Sequence, residues 1–118
     1  MSRLMSVSVT EQAVRERRKT VTRRLGWRFL KAGDHLTLCR KVQGRKPGEP
    51  LVRLAEVEVV SVRRVRLLVM ADEDVAREAV PGLENIPARD WVAWFAATFG
   101  IARTDEVTRI AWRYLGEP

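Results

Sequence analysis

Residues 51–68 read LVRLAEVEVVSVRRVRLL. Valine dominates, and the pattern alternates: Ala55, Val57 and Val59 on one side, Glu56 and Glu58 on the other. A period of two with β-branched residues is the mark of a strand that has one face in a core. At Val59-Val60 the alternation slips by one residue, and Val60 and Val62 become the apolar set. Such a slip predicts a β-bulge or a break into a second strand. Arg63, Arg64 and Arg66 then load the far end with charge.

The neighbours of this strand agree with a sheet. Upstream, QGRKPGEP (43–50) holds two glycines and two prolines, which predicts a hairpin tip, here a basic one. It lacks the G-x-x-x-x-G-K-[ST] spacing of a phosphate-binding loop. Before it, HLTLCRKV (35–42) alternates Leu36 and Leu38 with Thr37 and Cys39 and reads as a strand. Downstream, DEDVARE (72–78) predicts a short helix, and Pro81-Gly82 a turn. Asn85-Ile86-Pro87-Ala88 opens a second helix, with proline in its first turn. Trp91, Trp94, Phe95, Thr98 and Phe99 recur at helical spacing and define one apolar face. That spacing predicts a core stripe rather than a platform for stacking bases. Gly100 ends the helix. Val107 to Tyr114 alternates again and makes a last strand.

At the other end, Thr10 is a suitable N-cap, and Val9 and Val14 are spaced as a hydrophobic staple. A helix from about Glu11 to Arg18 follows, its last turn carrying Arg15, Arg17 and Arg18 where the helix dipole favours cations. The next stretch, RRKTVTRR (17–24), has threonines on both sides of Val21, which predicts an extended or turning segment. Helices and strands are mixed without a βαβ rhythm. The chain therefore reads as one α+β domain over residues 1–118, with a mostly antiparallel, partly closed sheet and helices at its ends.

Composition narrows the function. The 118 residues carry 22 Lys and Arg against 15 Asp and Glu, a formal charge of +7. That excess favours polyanionic partners such as nucleic acid. Cys39 is the only cysteine and His35 the only histidine, so neither a disulfide nor the usual zinc site can be built, and no metal or cofactor is expected. On an extended chain the two share a face but stand too far apart to bond, so both read as structural. No apolar run has the length of a membrane span, and the N-terminus lacks a signal-peptide pattern, so a cytoplasmic protein is expected.

The order of features is similar to a known family. Arg18-Lys19-Thr20-Val21-Thr22-Arg23-Arg24 after a short helix, then Gly33-Asp34, a basic hairpin, Glu78 before Pro81-Gly82, the aromatic helix and VTRIAWRYL (107–115) together resemble the ASCH domain family. The resemblance implies a PUA-like fold, a small mixed or antiparallel β-barrel with flanking helices. It implies a groove for RNA, more than DNA, or for a nucleobase-like ligand. It also implies, for some small bacterial members, an amidohydrolase acting on N4-acetylcytidine. The positions here that match the residues taken to act in those members are Lys19, Thr22 and Glu78. The family glutamate usually begins a Glu-Gly-Phe tripeptide, here Glu78-Ala79-Val80, and a glutamate usual after the second Arg-Arg pair is here Val65.

The chemistry of the trio is plain. A threonine hydroxyl is a weak nucleophile until a base takes its proton. Lys19, if its pKa is lowered among arginines, is that base; charged, it would stabilise an oxyanion. Glu78 would move a proton to the leaving amine or bond the amino edge of cytosine. Two readings stand from sequence. In one, a binding module holds RNA or a nucleobase through Arg18, Lys19, Thr20, Thr22, Arg23 and Arg24, with Arg45, Lys46, Arg63 and Arg64 as an electrostatic rim. In the other, the trio hydrolyses a modified nucleoside. A protein-binding regulator is a third and weaker reading. The oligomeric state is open.

Overall fold

The computed structural model describes residues 2–116. Five strands form one sheet: β1 (Arg3–Ser6), β2 (Val21–Arg24), β3 (His35–Cys39), β4 (Arg53–Arg66) and β5 (Glu106–Tyr114). Their order is β1-β3-β4-β5-β2. The β1–β3 pair is parallel and the other three are antiparallel. Three helices accompany the sheet: α1 (Glu11–Arg15), α2 (Asp72–Glu78) and α3 (Ala88–Phe99).

β4 is the spine of the sheet. It pairs with β3 through its first half and with β5 through most of its length. The slip in the sequence is a bulge inside a single strand: Val59 faces Trp112 and Ser61 faces Ala111, so Val60 is the extra residue. The bulge corrects one detail of the pattern. Val60 is exposed, and the inward position after it passes to Val62. A bulge increases local twist, and the core has two parts that meet further along β4, between Val62 and Val65. Met5, Leu36, Leu38, Val57, Val59, Ile110 and Trp112 pack on one part of the sheet. Leu67, Val75, Trp91, Val92, Phe95 and Val107 pack beneath α2 and α3 on the other.

The sheet is not a closed barrel, as the family resemblance implied. β1 and β2 are its two edges and do not pair with each other, so it curls only into a half-barrel. The parallel strand β1 was not visible in the sequence: it is four residues long, too short to display a period.

α1 is also shorter than expected. It ends at Arg15, not Arg18, and Arg17 takes a left-handed φ of 59°. The turn lets the Arg18 and Lys19 N–H groups both donate to the carbonyl of Ala13, and sends the chain across the molecule into β2. The staple does not form either. Val14 enters the core, whereas Val9 is exposed. Thr10 stands at the N-cap but its hydroxyl donates back to the Val7 carbonyl rather than capping. α3 matches its pattern, ending at Gly100, whose φ of 66° suits a residue without Cβ.

Candidate functional site

β2 carries Val21, Thr22 and Arg23, all buried, although it is an edge strand. One side of it packs against α2, and the other opens on a cavity of about 320 Å³. Lys19, Thr22, Arg23 and Arg24 contribute to the cavity wall. Facing them, α3 presents Trp91, Trp94, Phe95 and Phe99, and the segment after β1 presents Val7 and Val9. The wall is thus polar and cationic on the strand side and aromatic on the helix side.

Lys19 is held from both ends. Its carbonyl accepts from the indole N–H of Trp112 at 2.9 Å and from the Tyr114 hydroxyl. Its ammonium donates to the Glu78 carbonyl at 2.7 Å and to Glu78 Oε1 at 3.3 Å. The residue is 2% exposed. Burial pushes its pKa below the ordinary lysine value; Glu78 opposes this, and Arg24 and Arg23 add to it. The direction is the one a lysine base needs, and the pairing with Glu78 works against it.

Glu78 also accepts from Arg23 Nη1 at 3.0 Å, so one buried carboxylate serves two cations. Next to it lies Asp74, which the sequence reading passed over. Asp74 accepts from Arg23 at 2.7 Å and from Arg109 at 2.8 and 3.0 Å. Burial alone would raise its pKa, but the hydrogen bonds and charges of Arg109 and Arg23 hold it far below the usual carboxylate range. A signal for Asp74 was available: it lies four residues before Glu78 on α2, so both carboxylates leave the same helix face. Its role follows from the sheet register. Arg23, Arg109 and Arg63 sit side by side across β2, β5 and β4. Like charges in neighbouring strands repel, and Asp74 neutralises this row.

Thr22 accepts from Arg24 Nε at 3.2 Å through its hydroxyl oxygen, which leaves the hydroxyl proton to be given away. Arg24 also donates to the Ser6 carbonyl at 2.8 Å.

The remaining candidates fall elsewhere. Arg18 is exposed and paired with Glu16 and Glu84. Arg17 donates to the carbonyls of Leu115 and Gly116 and lies over the Tyr114 ring. Thr20 serves through its backbone, its N–H bound to the Arg77 carbonyl and its carbonyl to the Trp112 N–H. Arg45 and Lys46 lie in the β3–β4 loop, Arg63 borders a depression with Arg66, Arg77 and Arg109, and Arg64 donates to the Thr108 hydroxyl at 2.7 Å. None of these lines the cavity beside Lys19. Conversely, the aromatic stripe of α3 does more than fill the core, because four of its rings also wall the cavity. His35 is exposed at the start of β3, and Cys39 is a buried free thiol. Among the described residues no group of acids, histidine and cysteine could hold a metal ion, and no helix is long and apolar enough to cross a membrane.

Comparison with known proteins adds the fold class. No family model and no curated protein sequence matches the chain. Two solved structures resemble it. One is an ASCH domain from Lactobacillus crispatus, with a TM-score of 0.65 and 13% identity over 96% of this chain and 79% of that one. The other is a DUF984 protein from Enterococcus faecalis, with a TM-score of 0.63 and 12% identity over 98% of this chain and 80% of that one. The chain therefore has an ASCH-like α+β fold.

Proposed function

We propose that the cavity is the active site of a small amidohydrolase acting on an acylated nucleobase or nucleoside of the N4-acetylcytidine type. The observation that carries this reading is the Lys19–Glu78 pair: a buried lysine with a lowered pKa, bonded to a glutamate that is not itself in the wall, lines the same cavity as Thr22. The cavity falls at the lower end of the range typical of small-molecule sites and suits one base with its acyl group.

In this reading the planar base lies against the rings of α3. Neutral Lys19 takes the Thr22 proton, and Thr22 Oγ attacks the amide carbonyl carbon. The Arg24 N–H on that oxygen favours the alkoxide. The C–N bond breaks as the amine takes a proton from Lys19, with Glu78 holding the ammonium in place. Water then hydrolyses the threonyl ester, releasing the acid and restoring the hydroxyl.

The left-handed Ala79 supports the carry-over from the family. Its φ of 54° is the conformation that a glycine at that position would take, so the backbone after Glu78 is kept although the glycine is gone. Val80 follows it into the cavity wall.

The test is to incubate the protein with N4-acetylcytidine and follow deacetylation by chromatography. Thr22→Ala and Lys19→Ala should abolish turnover and Thr22→Ser should retain part of it. If the intact protein leaves both the nucleoside and its 5′-monophosphate unchanged, this substrate class is wrong.

RNA binding is the second reading, favoured by one feature. Arg63 and Arg66 border a shallow depression on the far side of β2, together with Arg77 and Arg109, which pair there with Asp74. It requires an affinity for single-stranded RNA that falls steeply with salt; binding that ignores salt, or no binding, excludes it.

A further inference from the structure

The charges around the cavity do not balance. Lys19, Arg23 and Arg24 line it, and Arg109 stands just behind. Against these four cations the ion-pair network sets two carboxylates, Asp74 and Glu78. Asp74 is engaged by Arg23 and Arg109, and Glu78 by Lys19 and Arg23. Arg24 is the one left over. Its guanidinium bonds the neutral oxygens of Thr22 and Ser6, and among the described residues no carboxylate pairs with it. A guanidinium has five N–H groups in a planar fork, and the Nη1 pair of Arg24 has no protein acceptor. Even with Lys19 neutral, three cations face two anions.

A second observation points the same way. Two buried N–H donors have no partner among the described residues: Nε1 of Trp91 and Nε of Arg23. Both residues line this cavity, and Trp91 is 1% exposed. Buried donors are nearly always satisfied, so these two add to the excess of donors around the cavity, although neither nitrogen is open to it. The surplus is one-sided: the unused groups are donors and the unpaired charge is positive.

We propose that the ligand of this cavity carries an oxyanion, a carboxylate or a phosphate, held by Arg24. The proposal shares its cavity with the hydrolase reading, and narrows that substrate from a neutral nucleoside to an anionic acylated base or nucleotide. The anion subsite is a property of the ground state and needs no turnover. Burial lowers the pKa of Arg24, with Glu78 its only opposing charge, which is the state of a cation whose counterion comes with the ligand.

Trp91 and Trp94 line the cavity, so quenching of tryptophan fluorescence reports occupancy directly. The probes are two pairs: benzoate against benzamide, and cytidine 5′-monophosphate against cytidine, in chloride buffer at physiological ionic strength. The charged member of at least one pair should bind about tenfold more tightly than its neutral partner, the scale of a charge-assisted hydrogen bond. A preference confined to benzoate assigns a carboxylate, and one confined to the nucleotide a phosphate. Arg24→Gln should erase the preference while leaving the neutral probe's affinity within about twofold, and Arg24→Lys should keep most of it. Equal affinity within both pairs overturns the proposal. So does a preference that survives Arg24→Gln in a protein that melts like the native chain, or failure of all four probes to bind at millimolar concentration. Loss of turnover in Arg24→Gln with no anion preference in the native chain also overturns it, because Arg24 would then serve only the reacting oxyanion. An inert protein that retains the anion preference instead sinks the hydrolase reading alone.

Discussion

Asp74→Asn tests the ionic frame that holds the site. The native carboxylate accepts from Arg23 at 2.7 Å, from Arg109 at 2.8 and 3.0 Å, and from Arg77 at 3.2 Å. Asparagine has nearly the same shape but only one acceptor oxygen, and its amide turns a donor toward a guanidinium. The Arg77 contact is half in solvent and contributes less than about 1 kcal/mol. The Arg23 and Arg109 contacts are buried, and removing one member of such a network costs about 3–5 kcal/mol. Because the amide keeps part of the hydrogen bonding, the lower end applies, about 3 kcal/mol. That is a large share of the roughly 5–15 kcal/mol that holds a domain together.

Urea unfolding at pH 7 measures this loss. With an m-value of about 1.5 kcal/mol/M, the midpoint should fall by about 2 M while m stays constant. The pH dependence supplies a second check. The folded pKa of Asp74 lies below its ordinary 3.8, so its contribution is complete above that value and is lost as pH falls through the folded pKa. The gap between native and variant should therefore be constant from neutral pH down to about 4, then close in stronger acid. A loss under about 1 kcal/mol at pH 7, or a gap that is flat through acid, would refute the view that Asp74 neutralises the arginine row.

Two further outcomes follow from the same region. Ala79→Gly removes a left-handed alanine, which relieves about 1 kcal/mol, but also deletes a fully buried methyl worth about 0.8 kcal/mol; the melting temperature should move by no more than a few degrees. A large loss would mean that Ala79 packs more than it strains. Lys19→Met should abolish turnover, and its stability at pH 7 is set by the loss of a buried amine, whose charge Arg24 and Arg23 repel, against the Glu78 carbonyl and carboxylate left without their donor. Because the lysine pKa is lowered in the fold, the unfolded chain binds more protons below 10.5, and native stability rises with pH toward that value. Any advantage of the methionine variant in urea unfolding should shrink as pH rises; an advantage that grows would contradict the assigned direction.

Much of this was legible in the sequence because it was written in periods. β4, its bulge, α2, α3 with its glycine stop and β5 all show as patterns of two or of three to four residues. What escaped has no period. β1 is short, and its parallel partner β3 is chosen by three-dimensional closure. α1 ends early because the chain must turn at Arg17, a backbone demand that no arginine advertises. In the site, Lys19, Thr22 and Glu78 came from a resemblance; Lys19 and Thr22 line one cavity, and Glu78 is reached through Lys19 without lining it. The even basic run of residues 17–24 did not reveal that Arg17 and Arg18 latch the surface, that Arg23 is consumed by acids and that Arg24 is left without one. Those differences depend on which carboxylates α2 brings across the sheet. The Asp74–Glu78 spacing was the available clue.

The place of β2 at the edge of the sheet has a consequence for how the protein is made. Its only strand partner is β5: Val21 faces Ala111 and Arg24 faces Thr108. Thr22, Arg23 and Arg24 therefore cannot be seated until β5, far along the chain, is in place. Pairings this far apart in sequence are slow, because the loop must close before any contact rewards it. Arrival of β5 covers β2 and seats Lys19, Thr22 and Arg23 in one event, so the cavity wall is a late product of folding.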